Sequence, residues 1–168
     1  MSAQAADDNV AERRRVEILA SLERSRVAFH ELLGSLQEAD LRVSRPGSWS
    51  VGEAAVHLVA SIEQTPVLIK ALRGGHDHLN IPQPIGEPIK RLHAWWSARG
   101  LTREILLRRF DAAYPKVSAL LDTVQAAEWE RGGHAYGEGY MTVEHAFHHQ
   151  SEHVEDHVEQ IRRLLERS

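Results

Sequence analysis

Four separate stretches of this chain place apolar side chains three and four residues apart, and that helical period constrains the fold more than any other feature. The first, from about Asn9 to Leu36, carries Val16, Leu19, Leu22, Val27, Phe29, Leu32, Leu33 and Leu36 with Arg and Glu between them. The second opens at Ser48 or Ser50, after Pro46-Gly47, and runs to about Arg73. A serine hydroxyl there can cap free amides, and Ser50 with Glu53 three residues on has the pattern of a capping box. Pro66 lacks an amide donor and crowds the preceding turn, which predicts a bend or split in this helix. The third stretch follows Thr102, with Ile105, Leu106, Phe110, Ala113, Val117, Leu120, Leu121 and Val124 at helical spacing, and Pro115 predicts a kink within it. The fourth begins at Thr142 and reaches about Glu166. No segment makes a convincing strand, and 132–140, with four glycines and two tyrosines, is expected to be a loop. Four long helices with extended connectors predict an all-α four-helix bundle.

A length of 168 residues suits one domain: a flexible N-terminus over 1–8 and a single bundle over 9–168. Lys and Arg total 20 against 24 Asp and Glu, a net charge of −4, which argues against a broad electropositive surface for nucleic acid or anionic lipid. Arg13, Arg14 and Arg15 lie beside Glu12 and Glu17 and fit a solvated helix face. Met1 to Val10 lacks a basic start followed by an apolar run, and no apolar run elsewhere is long enough to span a membrane, so a cytoplasmic location is expected. The absence of cysteine removes disulfides, Cys-ligated zinc, iron–sulfur clusters and a protein thiol nucleophile, so thiol chemistry would need a small-molecule thiol. The glycine-rich 132–140 lacks the Gly-Lys-Ser/Thr ending of a phosphate cradle. From Gly74 to Gly100 the chain is irregular, with Pro82, Pro84 and Pro88 and a short helical pattern over Ile89 to Trp96. Excursions of this length are often functional.

Eleven histidines occur, five of them between His145 and His157. His145, His149, His153 and His157 follow at four-residue steps, so each adjacent pair sits on neighbouring turns about 6 Å apart along the axis. The outer two are about 120° and roughly 18 Å apart, too far to share an ion, so only one pair can serve a site. Helical phase ranks the pairs. Val143, Phe147, Val154, Val158, Ile161 and Leu165 form the apolar stripe, with His157 about 60° and His153 about 100° from its centre. His149 and His148 turn further away and His145 points nearly opposite. On the second helix, Val51, Ala55, Leu58, Ile62, Thr65 and Ile69 form the stripe and His57 lies about 100° off it. Spacing alone leaves a metal half-site and a plain boundary histidine both open.

The stretch Ser48-Trp49-Ser50-Val51-Gly52-Glu53-Ala54-Ala55-Val56-His57-Leu58 resembles the start of the second helix in the DinB/YfiT-like superfamily of metal-binding four-helix bundles. The end of the chain is similar to that family's last helix, where a His-x-x-x-His pair, here His153 and His157, is followed by Gln160-Ile161. The resemblance implies a three-histidine metal site of His57, His153 and His157. Three imidazoles leave positions for water or substrate, as in a catalytic site. Zinc is the first expectation, with nickel or another divalent ion also compatible with imidazole ligands. The implied activity is a metal-dependent hydrolase or a thiol-dependent transferase, activating water or a low-molecular-weight thiol toward a small-molecule substrate. A mycothiol-dependent isomerase-like enzyme and a non-catalytic metal- or ligand-binding bundle are the alternatives. In the isomerase branch a glutamate precedes the last histidine by four residues, a spacing that Glu144 and His148 share, though phase turns His148 off the stripe.

Further candidates each carry a plainer reading. His149 either contacts a metal-bound water or substrate or is a solvated polar residue. Glu53 either faces the site or caps Ser50. Tyr136 and Tyr140 either close over the site or anchor the surface. His76 and His78 are weak ligands in a Gly-Gly-His-Asp-His turn, and Trp95 and Trp96 suit packing or an interface. Asp156 or Glu152 would orient a ligating imidazole only if helix packing turned them inward. An exposed apolar stripe on the first or third helix would support a homodimer.

Overall fold

A computed structural model describes residues 3–78, 88, 91–92, 94–135 and 139–166, with 3–8 described by backbone alone. Its long helices are α1 (Ala3–Ser35), α2 (Val51–Arg73), α3 (Arg103–Leu121) and α4 (Val143–Glu166). The first helix thus starts ahead of the apolar spacing that begins near Asn9. Caps stop and start these helices as the residue types demand. The Ser50 hydroxyl accepts from the Glu53 amide while the Glu53 carboxylate accepts from the Ser50 amide. Thr102 accepts from Ile105 and Thr142 from His145 in the same way. Neither proline splits its helix: α2 runs through Pro66 and α3 through Pro115, each giving up one amide donor.

Pairwise contacts define the topology. α1 and α2 each pack against both α3 and α4, while α1 and α2, like α3 and α4, sit across the diagonals. Arg103, at the start of α3, donates to the Gly34 and Leu36 carbonyls at the end of α1, and Arg15 near the other end reaches the Val124 carbonyl. Hence α1 and α3 are antiparallel. α2 and α3 are parallel, since Glu63 pairs with Arg109 and Arg73 binds Thr123. α4 runs with α1, because Arg14 pairs with Glu144 and Leu32 shares a groove with Leu165. The helices therefore run up, down, down, up, and two consecutive helices that are parallel need a return crossover spanning the bundle. That requirement explains the long excursion between Arg73 and Arg103. Of the short helix anticipated at Ile89 to Trp96, Arg91, Leu92 and Ala94, Trp95 and Trp96 are helical, while 89, 90 and 93 lie outside the described residues.

The buried stripe of α2 follows the phase above, and that of α4 does so up to Ile161, after which Leu164 is buried and the expected Leu165 only half-buried; Leu58, Ile62, Ile69, Val154, Val158 and Ile161 share one core. On α1 the stripe differs from the expectation. Ile18, Leu22, Ser25, Phe29, Leu33 and Leu36 are buried, whereas Val16, Leu19 and Val27 are exposed. The helix carries more apolar residues than one face can bury, and contacts such as the edge-to-face pair Phe29–Phe110 (4.9 Å) select the face. Arg14 and Arg15 tie α1 to the α3–α4 connector through Glu130 and the Val124 carbonyl, and to the first turn of α4 through Glu144. Trp95 and Trp96 are both exposed, with the Arg99 guanidinium 3.6 Å from the Trp95 ring centroid.

The expected loop at 132–140 contains a hairpin instead. β1 (Gly132–Ala135) pairs antiparallel with β2 (Gly139–Thr142), Gly133 opposite Met141 and His134 opposite Tyr140. Glycine disfavours strands in isolation, but here its missing side chain is the requirement. A Cβ on Gly132 would meet the Met141 carbonyl oxygen at 2.3 Å, and one on Gly133 would meet that of His76 at 2.4 Å. The His78 amide also donates to the His134 carbonyl at 2.8 Å, so the hairpin closes over the end of α2.

Two outcomes follow. Gly133→Ala should destabilise the fold by about 1–3 kcal/mol through overpacking, while Gly34→Ala, with open space around it, should stabilise by up to about 1 kcal/mol; denaturant midpoints test both. Burial pushes the Tyr114 phenol from 10.0 up to about 12. The folded state holds that proton more tightly than the unfolded chain, so stability is intact below pH 10 and declines as the pH rises toward about 12. Tyr114→Phe should remove this part of the alkaline slope in unfolding midpoints measured between about pH 9 and pH 12.

Candidate metal centre

His57 lies less than two turns inside α2, at the edge of the stripe that faces α4. His153 and His157 occupy the matching flank of α4, and all three are half-buried. Because α2 and α4 run antiparallel, the start of one meets the later half of the other. The ring centroids are 5.2 Å apart for His57–His153, 5.2 Å for His57–His157 and 4.6 Å for His153–His157. One ring nitrogen from each can be chosen so that all lie within 4.8 Å of one another. Imidazole nitrogens around a tetrahedral ion with bonds of about 2.0–2.1 Å sit roughly 3.3 Å apart, so side-chain shifts of the order of an ångström complete a set of three. Among the described residues this is the one group of three or more His, Asp, Glu or Cys side chains close enough to hold a metal.

The surroundings suit a neutral, oriented imidazole at His157. Burial pushes His157 below the usual imidazole value, although the hydrogen bond to Gln160 and the nearby Asp156 charge act the other way. His157 Nδ1 is 2.7 Å from Gln160 Oε1. An amide oxygen only accepts, so Nδ1 carries the proton and Nε2 is left as the nitrogen for a metal. The anticipated carboxylate partners do not take this role: Asp156 and Glu152 are exposed on the outer face of α4. Gln160 stands three residues after His157, a spacing that puts both on one helix face. That spacing was the signal available in the sequence. Trp49, just ahead of the cap of α2, stands edge-on to His57 at 4.7 Å and nearly parallel to His157 at 6.2 Å. The Trp49, His57, His157 and Gln160 side chains, with Gly47, Ser48 and Arg91, line a cavity of about 500 Å³ open to solvent.

The other candidates fall elsewhere. His149 stacks on His153 at 5.6 Å, one turn farther from the trio, and His145 is exposed beyond it. The Glu53 carboxylate is engaged in the cap. Glu144 pairs with Arg14, so the Glu144/His148 register is not assembled. Tyr140 is 59% exposed and packs edge-on against His134. It belongs to the hairpin beside the end of α2, some 24 Å along the axis from His57, so it does not close over the trio. Tyr136 lies outside the described residues. His134 contacts Asp77 at 3.2 Å, and His76 and His78 join no set of three ligands among the described residues.

A family model of the DinB superfamily matches residues 21–161. The chain belongs to the DinB superfamily. All three histidines of the trio fall inside the matched DinB region. Among solved structures, this DinB-superfamily chain is similar to YfiT from Bacillus subtilis, described as a probable metal-dependent hydrolase with an unusual four-helix bundle topology. The two superpose with a TM-score of 0.74 at 17% sequence identity, over 91% of this chain and 86% of YfiT. That likeness establishes the four-helix fold. No curated protein matches the chain, and no helix among the described residues is long and apolar enough to cross a membrane.

The Gln160 contact yields a test that needs no metal. In long-range proton–nitrogen spectra of metal-free protein, His157 should show the Nδ1-protonated tautomer. Gln160→Leu should release it toward the Nε2-protonated form, with the unfolding midpoint little changed.

Proposed function

We propose that this chain is a divalent-metal-dependent enzyme acting on a small molecule, with hydrolysis as its reaction. The observation that carries this reading is the convergence of three half-buried imidazoles from two helices, two of which, His57 and His157, line an open cavity. His57, His153 and His157 would hold the ion, zinc by first choice and nickel as the alternative. When bound, such an ion supplies a Lewis acid and brings the pKa of a coordinated water down toward about 7. The chain's own residues do the rest. Gln160 holds His157 in the tautomer that presents Nε2, and the Trp49 ring walls one side of the pair His57/His157 against solvent. The cavity admits a small substrate from the side of Arg91 and Gly47. The description of YfiT as a probable metal-dependent hydrolase favours hydrolysis. Transfer of an external thiol is the second reading, supported by a cysteine-free chain that offers no thiol of its own.

Untagged protein should carry about one equivalent of metal, and His57→Ala and His153→Ala should each lose it. Equal metal content in all three would remove the site. The loaded protein should cleave members of an ester and amide panel, or conjugate a small thiol, with activity abolished by chelation and restored by zinc or nickel. Metal binding without turnover on any panel would instead favour a non-catalytic binder.

A further inference from the structure

The geometry points to an oxyanion subsite at the mouth of this cavity, with Arg91 as the residue that selects substrates bearing a carboxylate or phosphate group. The inference rests on the proposed metal site for its place in a reaction, but the binding it describes does not require the ion. Arg91 is the one permanently charged side chain among the described residues lining the cavity, and none of them is a carboxylate. This is notable in a chain of net charge −4. The acids closest in sequence to this wall, Asp156 and Glu159, are exposed on α4, Glu159 pairing with Arg163, and the Glu53 carboxylate is held on the Ser50 amide.

Among the described residues Arg91 forms no ion pair; its guanidinium donates to the Gly47 carbonyl at 3.1 Å. One of five N–H donors thus ties Arg91 across the rim to the loop that leads into α2. The remaining donors keep the planar fork that matches a carboxylate or phosphate. Arg91 lies on the return crossover between α2 and α3, so the same connector that the parallel arrangement demands brings a cation to the histidine end of the bundle. A molecule whose anionic group docks on Arg91 would extend its other end toward His57 and His157, across a cavity of small-metabolite size.

The test uses full-length metal-free protein, so its failure is separable from failure of the metal site. Succinate and inorganic phosphate, titrated separately, should shift the Trp49 indole and Arg91 side-chain resonances in saturable fashion, and the stronger of the two identifies the preferred group. Arg91→Ala should weaken that binding by about tenfold or more, with Arg91→Lys intermediate because it keeps the charge and loses the fork. With metal-loaded protein, an ester carrying a free carboxylate should be preferred over its neutral analogue, and Arg91→Ala should erase the preference through KM. Unchanged anion binding in both Arg91 variants, or no response at Trp49, would overturn the subsite while leaving the metal site standing.

Discussion

The antiparallel packing of α2 on α4 is the contact on which the rest depends. Each helix buries an apolar stripe, and the positions about 60–100° off each stripe meet along the seam. His57 therefore finds His153 and His157. Farther along the same seam Thr65 donates to the Gln150 side-chain oxygen at 2.6 Å, both residues buried. Two apolar stripes alone tolerate sliding by a turn, because one aliphatic contact replaces another. A buried hydroxyl–amide pair does not, since a slide would strand the Gln150 oxygen at a cost of roughly 1–3 kcal/mol, while the Thr65 hydroxyl would fall back on the Ser61 carbonyl at 3.0 Å. The Thr65–Gln150 bond thus fixes the axial register that aligns the imidazoles.

The order of helices around the bundle supplies the second layer of control. With α1 and α2 across one diagonal, the chain between them must traverse the end of the bundle, and this segment carries Trp49 to the rings. With α2 and α3 parallel, the crossover must return along the bundle's length, and it delivers Arg91 to the same rim. The α3–α4 connector works at the opposite end, where its hairpin covers the end of α2. Two connectors serve the cavity and one serves stability.

Much of this was legible in the sequence because it is local. Capping at Ser50, Thr102 and Thr142 depends on residues three apart, and the phases of α2 and α4 depend only on their own apolar spacing. The trio needed one thing more, a pairing of helices, and the motifs around His57 and His153/His157 carried it. What depends on distant parts of the chain was not legible. α1 has apolar residues for two faces, and only Phe110 and its neighbours choose between them. The hairpin is written in glycines whose reason is the approach of His76 and Met141. Tyr140 could be placed on the right end only by knowing which way α4 runs, and Gln160 needed a side-chain direction as well as a spacing.

The character of the site follows from Gln160 being an amide. A carboxylate behind a ligating imidazole adds negative charge and raises ligand basicity. An amide oxygen fixes the tautomer while adding no net charge. A divalent ion held by His57, His153 and His157 would therefore receive no added negative charge through His157, and no acidic side chain stands among the described residues of the cavity wall. In a chain that is acidic overall, this concentrates positive potential in one opening, and low-dielectric walls such as the Trp49 ring focus it. The same arrangement that strengthens a Lewis acid also draws anions, so reactivity and substrate charge are two consequences of one choice of residue.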